Sequence, residues 1–158
     1  MFNKFCKKQL WECSKELTAT ALGSIPAETV IINAKLINVC TKEVMENIVK
    51  ALDSKKARNI TVLQTGDITV LADYFVICTA GSTSQIKSLS DEAGRKLTEL
   101  GEAPRSVEGY RDGGWVLMDF GCVIVHLFLE EARGFYDLER LWSDAPEVDV
   151  SYLTIPNE

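Results

Sequence analysis

His126 is the only histidine among the 158 residues of the chain, and histidine is the side chain whose ordinary pKa lies closest to neutrality. Alternation along Trp115–Phe128 puts Asp119 on the same face, a carboxylate placed where it could orient the imidazole. A nucleophilic relay also needs a serine or cysteine aimed at that imidazole. None stands on an elbow directed at it, and Cys122 falls on the turn, so His126 reads as a surface or interfacial histidine. Phosphate cradling would use Gly81-Ser82 at the start of a helix. The spacing fits neither GxxxxGK[ST] nor GxGxxG, and the pair reads as a strand-to-helix turn with its cap.

Nucleotidyl transfer needs carboxylates that project together from adjacent strands to hold two metal ions. Asp119 stands alone on its strand, and the acidic pair spaced by one, Glu147 and Asp149, lies after Pro146. The five cysteines, Cys6, Cys13, Cys40, Cys78 and Cys122, contain no CxxC pair and have one histidine for company. They read as free thiols in a reducing compartment, not as a metal site. Neither a cofactor nor a metal is called for, and no enzymatic centre is assembled.

Periodicity assigns these residues to helices and strands. Thr41 suits an N-cap for a helix with Val44, Ile48 and Leu52 on one face, and Lys55-Lys56-Ala57-Arg58 would place positive charge at its end. Ile60–Leu63 is a short strand. Tyr74–Cys78 is an almost continuous apolar run, expected of a strand buried on both faces. Ser82 and Gln85 have capping-box spacing. Ile86, Leu89, Ala93, Leu97 and Leu100 then form an amphipathic stripe, stopped by Gly101 and Pro104.

Trp115–Phe128 is a hairpin turning at Gly121-Cys122, with glycine in the first central place. Val116, Met118, Phe120, Val123, Val125 and Leu127 make one wholly apolar face, which must be core. Trp115, Leu117, Asp119, Ile124, His126 and Phe128 make the other. That mixed face is either covered by a helix or offered to a partner. A further helix begins at Glu130-Glu131-Ala132-Arg133, and Phe135, Tyr136, Leu138, Leu141 and Trp142 continue at helical steps. Phe135, Leu138 and Leu141 are expected in the core. The acidic, proline-punctuated residues 145–158 are expected to fray. Strands alternating with helices point to an α/β fold, a mixed sheet with flanking helices.

The chain is 46% hydrophobic and 25% charged, a globular balance that excludes wholesale disorder. No apolar run reaches the length needed to cross a bilayer. Residues 1–40 hold five lysines against three glutamates, hence +2, while residues 41–158 hold 12 basic and 20 acidic side chains, hence −8. The first forty residues fit neither a signal peptide, since Glu12, Lys15 and Glu16 break the apolar stretch, nor an arginine-rich transit peptide. They read as an atypical, dispensable extension or a misplaced start. The acidic domain is ill suited to phosphate backbones and favours basic partners.

Five blocks in order carry a resemblance: Asp73-Tyr-Phe-Val-Ile-Cys-Thr-Ala-Gly-Ser-Thr-Ser, Val107-Glu-Gly109, Trp115-Val-Leu-Met-Asp-Phe-Gly121, Val123-Ile-Val-His126, and Glu130-Glu131 with Tyr136-Asp-Leu-Glu-Arg-Leu-Trp142. Over residues 41–144 the chain closely resembles the ribosomal silencing factor family, also called Iojap. The resemblance implies a nucleotidyltransferase-like fold that lacks the catalytic carboxylates. It implies a translational repressor in the cytoplasm or an organelle. Such a repressor binds ribosomal protein fourteen of the large ribosomal subunit, blocks joining of the small subunit, and lowers translation when nutrients are scarce. It also implies a homodimer in the free state. Partner-binding residues are then expected on the mixed face and the helix after it: Trp115, Leu117, Asp119, His126, Glu130, Glu131, Arg133, Tyr136 and Trp142. Tyr136 and Trp142 serve packing or recognition. Cys122 departs from the family, which usually has Asp or Asn in that turn. The alternative is a nucleotide-binding or nucleotidyltransferase-type enzyme on the same scaffold.

Overall fold

Alternating apolar residues on five short segments build one sheet, with spatial order β1-β2-β5-β4-β3. The computed structural model describes residues 27–155, with side chains from residue 41 onward. The readings made of residues 1–26, and of the Cys40 side chain, lie outside the described residues. Helix α1 spans Ala27–Ser54, β1 Arg58–Gln64, β2 Tyr74–Ala80, and α2 Thr83–Glu99. They are followed by β3 Ser106–Glu108, β4 Trp115–Asp119, β5 Val123–Leu129, α3 Glu130–Tyr136 and α4 Leu138–Leu141. β2 and β5 run parallel and the other neighbours antiparallel. This is the expected mixed α/β sheet with flanking helices.

Both helices α1 and α2 cover one face. From α1 come Val44, Met45, Ile48, Val49 and Leu52, and from α2 Ile86, Leu89, Ala93 and Leu97. They close over Val76 and Cys78 of β2 and over the apolar hairpin face, where Val116, Met118, Phe120, Val123, Val125 and Leu127 are all buried. Each fully buried Val, Leu or Phe contributes about 1.5–3 kcal/mol, so this layer dominates the stability. Leu100 departs from the stripe: it is the C-cap of α2 and 40% exposed. The capping box forms in modified shape. Ser82 Oγ accepts from Gln85 N at 3.1 Å, Gln85 Oε1 accepts from Gly81 N, and Gln85 Nε2 donates to the carbonyls of Lys55 and Lys56.

Three local expectations change. Thr41 is no cap: α1 already runs from Ala27, and Thr41 is buried with its hydroxyl donating to Asp73 Oδ2 at 3.5 Å. Lys55 and Lys56 lie beyond the end of α1, so its last turn carries no base. The segment after Trp142 does not fray within the described residues. Gln64 N donates to Pro146 O and Val148 N to Val62 O, which lays the segment along the outer edge of β1. Beyond it Val150 is buried in the main core, and Tyr152 donates to Glu46 of α1.

Candidate functional site

The second face of the sheet is covered unevenly. Leu63, Phe75, Ile77 and Phe128 lie under Leu138 of α4 and Ala145, with Trp142 packed against them. Phe75 meets the Trp142 ring edge-on at 5.2 Å. Towards β4 and β3 the cover ends, and Trp115, Leu117, Asp119 and Ile124 are only half-buried.

The hairpin turns at Gly121-Cys122 as its sequence requires. Phe120 N donates to Val123 O, and Gly121 has a φ of +87°, a left-handed value that favours glycine. Directly opposite pairs are Trp115 with Phe128, Leu117 with His126, and Asp119 with Ile124. Around them grows an aromatic cluster. Trp115 stacks on Phe128 at 5.1 Å between centroids and lies 4.5 Å from Tyr136, while Phe75 meets His126 edge-on at 5.5 Å.

Asp119 does not orient His126. Its Oδ1 accepts from Gly121 N at 2.6 Å and braces the turn, while His126 Nδ1 accepts from Trp115 Nε1. His126 is 6% exposed, and burial holds its pKa down to about 4. The imidazole is therefore neutral at physiological pH and occupied by an indole. Burial also pushes the Cys78 thiol up to about 12 and raises that of Cys122, so neither offers a thiolate at neutral pH. Among the described residues, no cluster of three or more His, Cys, Asp or Glu side chains is placed to hold a metal ion.

The stretch from Glu130 is two short helices, not one. Asp137 takes a left-handed φ of 43° between them. The break turns Phe135 and Leu141 outward, 81% and 70% exposed, against the expectation that they are core; Leu138 alone of the three is buried. Glu130, Glu131 and Tyr136 are exposed, and Trp142 is half-buried. Arg133 is set apart from the other expected contact residues. Its guanidinium turns inward to Asn59 O, Thr61 Oγ1, Thr79 Oγ1 and Glu139. Of the nine expected residues, the fold thus gathers Trp115, Leu117, Asp119 and Tyr136 around one partly open face, whereas His126, expected at the surface, is buried beneath the aromatic rings. Trp142 sits at the covered end of that face and Glu130 and Glu131 on the helix beside it. Phe135 was missed as a surface residue, and only the left-handed break at Asp137 reveals it.

No helix among the described residues is long and apolar enough to cross a membrane. A family profile described as "Ribosomal silencing factor during starvation" matches residues 39–158. The chain is 38% identical to ribosomal silencing factor RsfS of Halalkalibacterium halodurans over 109 residues, 69% of this chain and 93% of that protein. It is 33% identical to the chloroplastic protein Iojap of Zea mays, covering 68% of this chain and 47% of that one. A crystal structure of a Chromobacterium violaceum protein superposes with a TM-score of 0.64 at 35% identity, over 65% of this chain and 85% of that one. A shorter match of 47 residues, 64% identical, covers 30% of this chain and 8% of an adenine deaminase from Clostridium botulinum. A profile match over most of the chain, a relative aligned over 93% of its own length and a shared fold agree: the chain belongs to the ribosomal silencing factor family.

Proposed function

We propose that this protein docks on the large ribosomal subunit through ribosomal protein fourteen and sterically blocks the small subunit, lowering translation when nutrients are scarce. The observation that carries the reading is the half-covered sheet face. Trp115, Leu117 and Asp119 stand in a row beside exposed Tyr136 and Phe135. Aromatic anchors flanked by a polar rim are the usual anatomy of a protein interface. The rim here is acidic, with Glu130 and Glu131, on a region whose net charge is −8. That suits a basic ribosomal protein rather than RNA.

The relatives named as silencing factors support the same reading. The protein acts in the cytoplasm without consuming nucleotide, and in the free state the same aromatic face joins two copies. Residues 1–40 are dispensable for docking. The adenine deaminase match spans too little of that enzyme to bring its activity. Co-sedimentation with isolated large subunits tests the reading. The protein should pellet with them at equimolar ratio, and titration with nucleoside triphosphates and magnesium should release no heat. A protein left in the supernatant at saturating subunit concentration overturns it.

A further inference from the structure

Helix α3 carries Glu130, Glu131, Phe135 and Tyr136 to the docking face, yet none of its seven residues is buried. So short a helix does not hold itself together in water, and its apolar contacts are those of Ala132 with the second core cluster and of the Tyr136 ring with Trp115 and Phe128. Its polar anchor is Arg133. Nη1 donates to Asn59 O at 2.6 Å and to Thr79 Oγ1 at 2.9 Å, and Nη2 donates to Thr61 Oγ1 at 3.2 Å. Nε donates to Glu139 Oε1 at 2.8 Å, and Nη2 closes on the same carboxylate as an ion pair. One guanidinium thereby fastens α3 to α4, β1 and β2.

The backbone is shaped to receive it. The β1–β2 ladder slips by one residue between Arg58 and Thr61, and Asn59 there has a left-handed φ of 50°. At that bulge the Asn59 carbonyl accepts from Arg133. Bulges of this kind re-aim backbone groups at a cost the surroundings must offset.

Resting on the docking role proposed above, we infer that Arg133 is a positioning residue: it touches no partner and holds α3 so that Tyr136 stays against Trp115 on the docking face. Its planar fork reaches four acceptor residues in fixed directions, whereas a lysine ammonium is a point charge on a flexible stem.

The test compares Arg133→Gln, Arg133→Lys, Glu139→Ala and Tyr136→Ala in the full chain. It reads affinity for isolated large subunits well below the melting temperature, together with amide exchange of residues 130–136. Charge-assisted bonds of this kind support a loss of about tenfold for Arg133→Gln and Glu139→Ala alike. Exchange should quicken in residues 130–136 but not in β2 or β5, and Arg133→Lys should recover only part of the affinity. Normal binding by Arg133→Gln or Glu139→Ala while Tyr136→Ala binds weakly overturns the positioning role and leaves the docking face standing. Weak binding by Arg133→Gln with normal binding and exchange in Glu139→Ala overturns it too, since the guanidinium must then contact the partner itself. Should Arg133→Gln fail to fold, Glu139→Ala decides alone. Normal binding by Tyr136→Ala removes the docking face, and the positioning role with it.

Discussion

Trp115 and His126 are joined diagonally across the hairpin, indole Nε1 donating to imidazole Nδ1 at 3.3 Å. They are not directly opposite, for Trp115 faces Phe128 and His126 faces Leu117. The bond needs a lone pair on Nδ1, so it fixes the neutral imidazole with its proton on Nε2. Protonation at Nδ1 would remove the acceptor and place an uncompensated charge among Phe75, Phe128 and Trp115. The residue that looked most like an acid–base catalyst is a fixed part of the aromatic layer.

Stability should therefore fall in acid. The folded pKa of His126 is held at about 4, below the ordinary 6.5. Between those values the unfolded chain binds a proton that the folded chain refuses, so stability is full above about pH 6.5 and is lost as pH falls towards 4. The linkage is worth at most about 3 kcal/mol. Urea unfolding at pH 7 and pH 4.5, in the natural chain and in His126→Gln, measures it. Equal pH slopes in the two proteins would contradict the assignment.

Trp115→Ala should lose both stability and binding, because the indole is half-buried and contacts three other rings. Partial burial limits the stability loss to about 2–3 kcal/mol, while affinity for large subunits should drop at least about 30-fold. Val125→Ala, at 0% exposure on the opposite face, should melt early but bind normally while folded. Normal binding by folded Trp115→Ala would show that the indole serves the interior alone.

A chain ending at Asp144 should be destabilised by about 3 kcal/mol or more and should aggregate. It loses the buried side chains of Ala145 and Val150 and the two backbone bonds to β1. It also bares the edge of β1, a template for further strand pairing. Urea midpoints and size-exclusion profiles report both effects. An unchanged midpoint would mean that residues 145–158 contribute nothing to the fold.

Gly109→Ala should cost at least about 2 kcal/mol. Gly109 has a φ of +76°, and an added Cβ would fall 2.0 Å from the carbonyl oxygen of Trp115. Gly114→Ala is the matched control, with nothing within 4 Å of its new methyl. Equal melting temperatures for the two variants would show that the Gly109–Trp115 approach relaxes freely.

The parts of this fold legible in sequence are those with short-range causes. The hairpin followed from a period of two and a glycine turn, and helix α2 from the Ser82–Gln85 cap and a stripe at helical steps. The elements that escaped depend on distant partners. Arg133 reads as an ordinary surface charge because its acceptors Asn59, Thr61 and Thr79 are 54 to 74 residues away. The break at Asp137 hides inside a run whose apolar spacing suits a continuous helix. In the docked C-terminal segment Val148 and Val150 alternate with Glu147 and Asp149 just after Pro146, so nothing local announces that β1 will pair with it. Alternation alone puts Asp119 on the face of His126, but it does not reveal that Gly121 N claims the carboxylate.

The proposed role of the partly open Trp115–Tyr136 face is to take the protein to the large subunit and keep the small subunit away. Light scattering of purified subunits measures joining directly. Large subunits incubated first with the protein should show reduced association in proportion to occupancy, and Trp115→Ala should need roughly 30-fold more protein for the same effect. Unchanged association at saturating protein would show that this face does not keep the subunits apart.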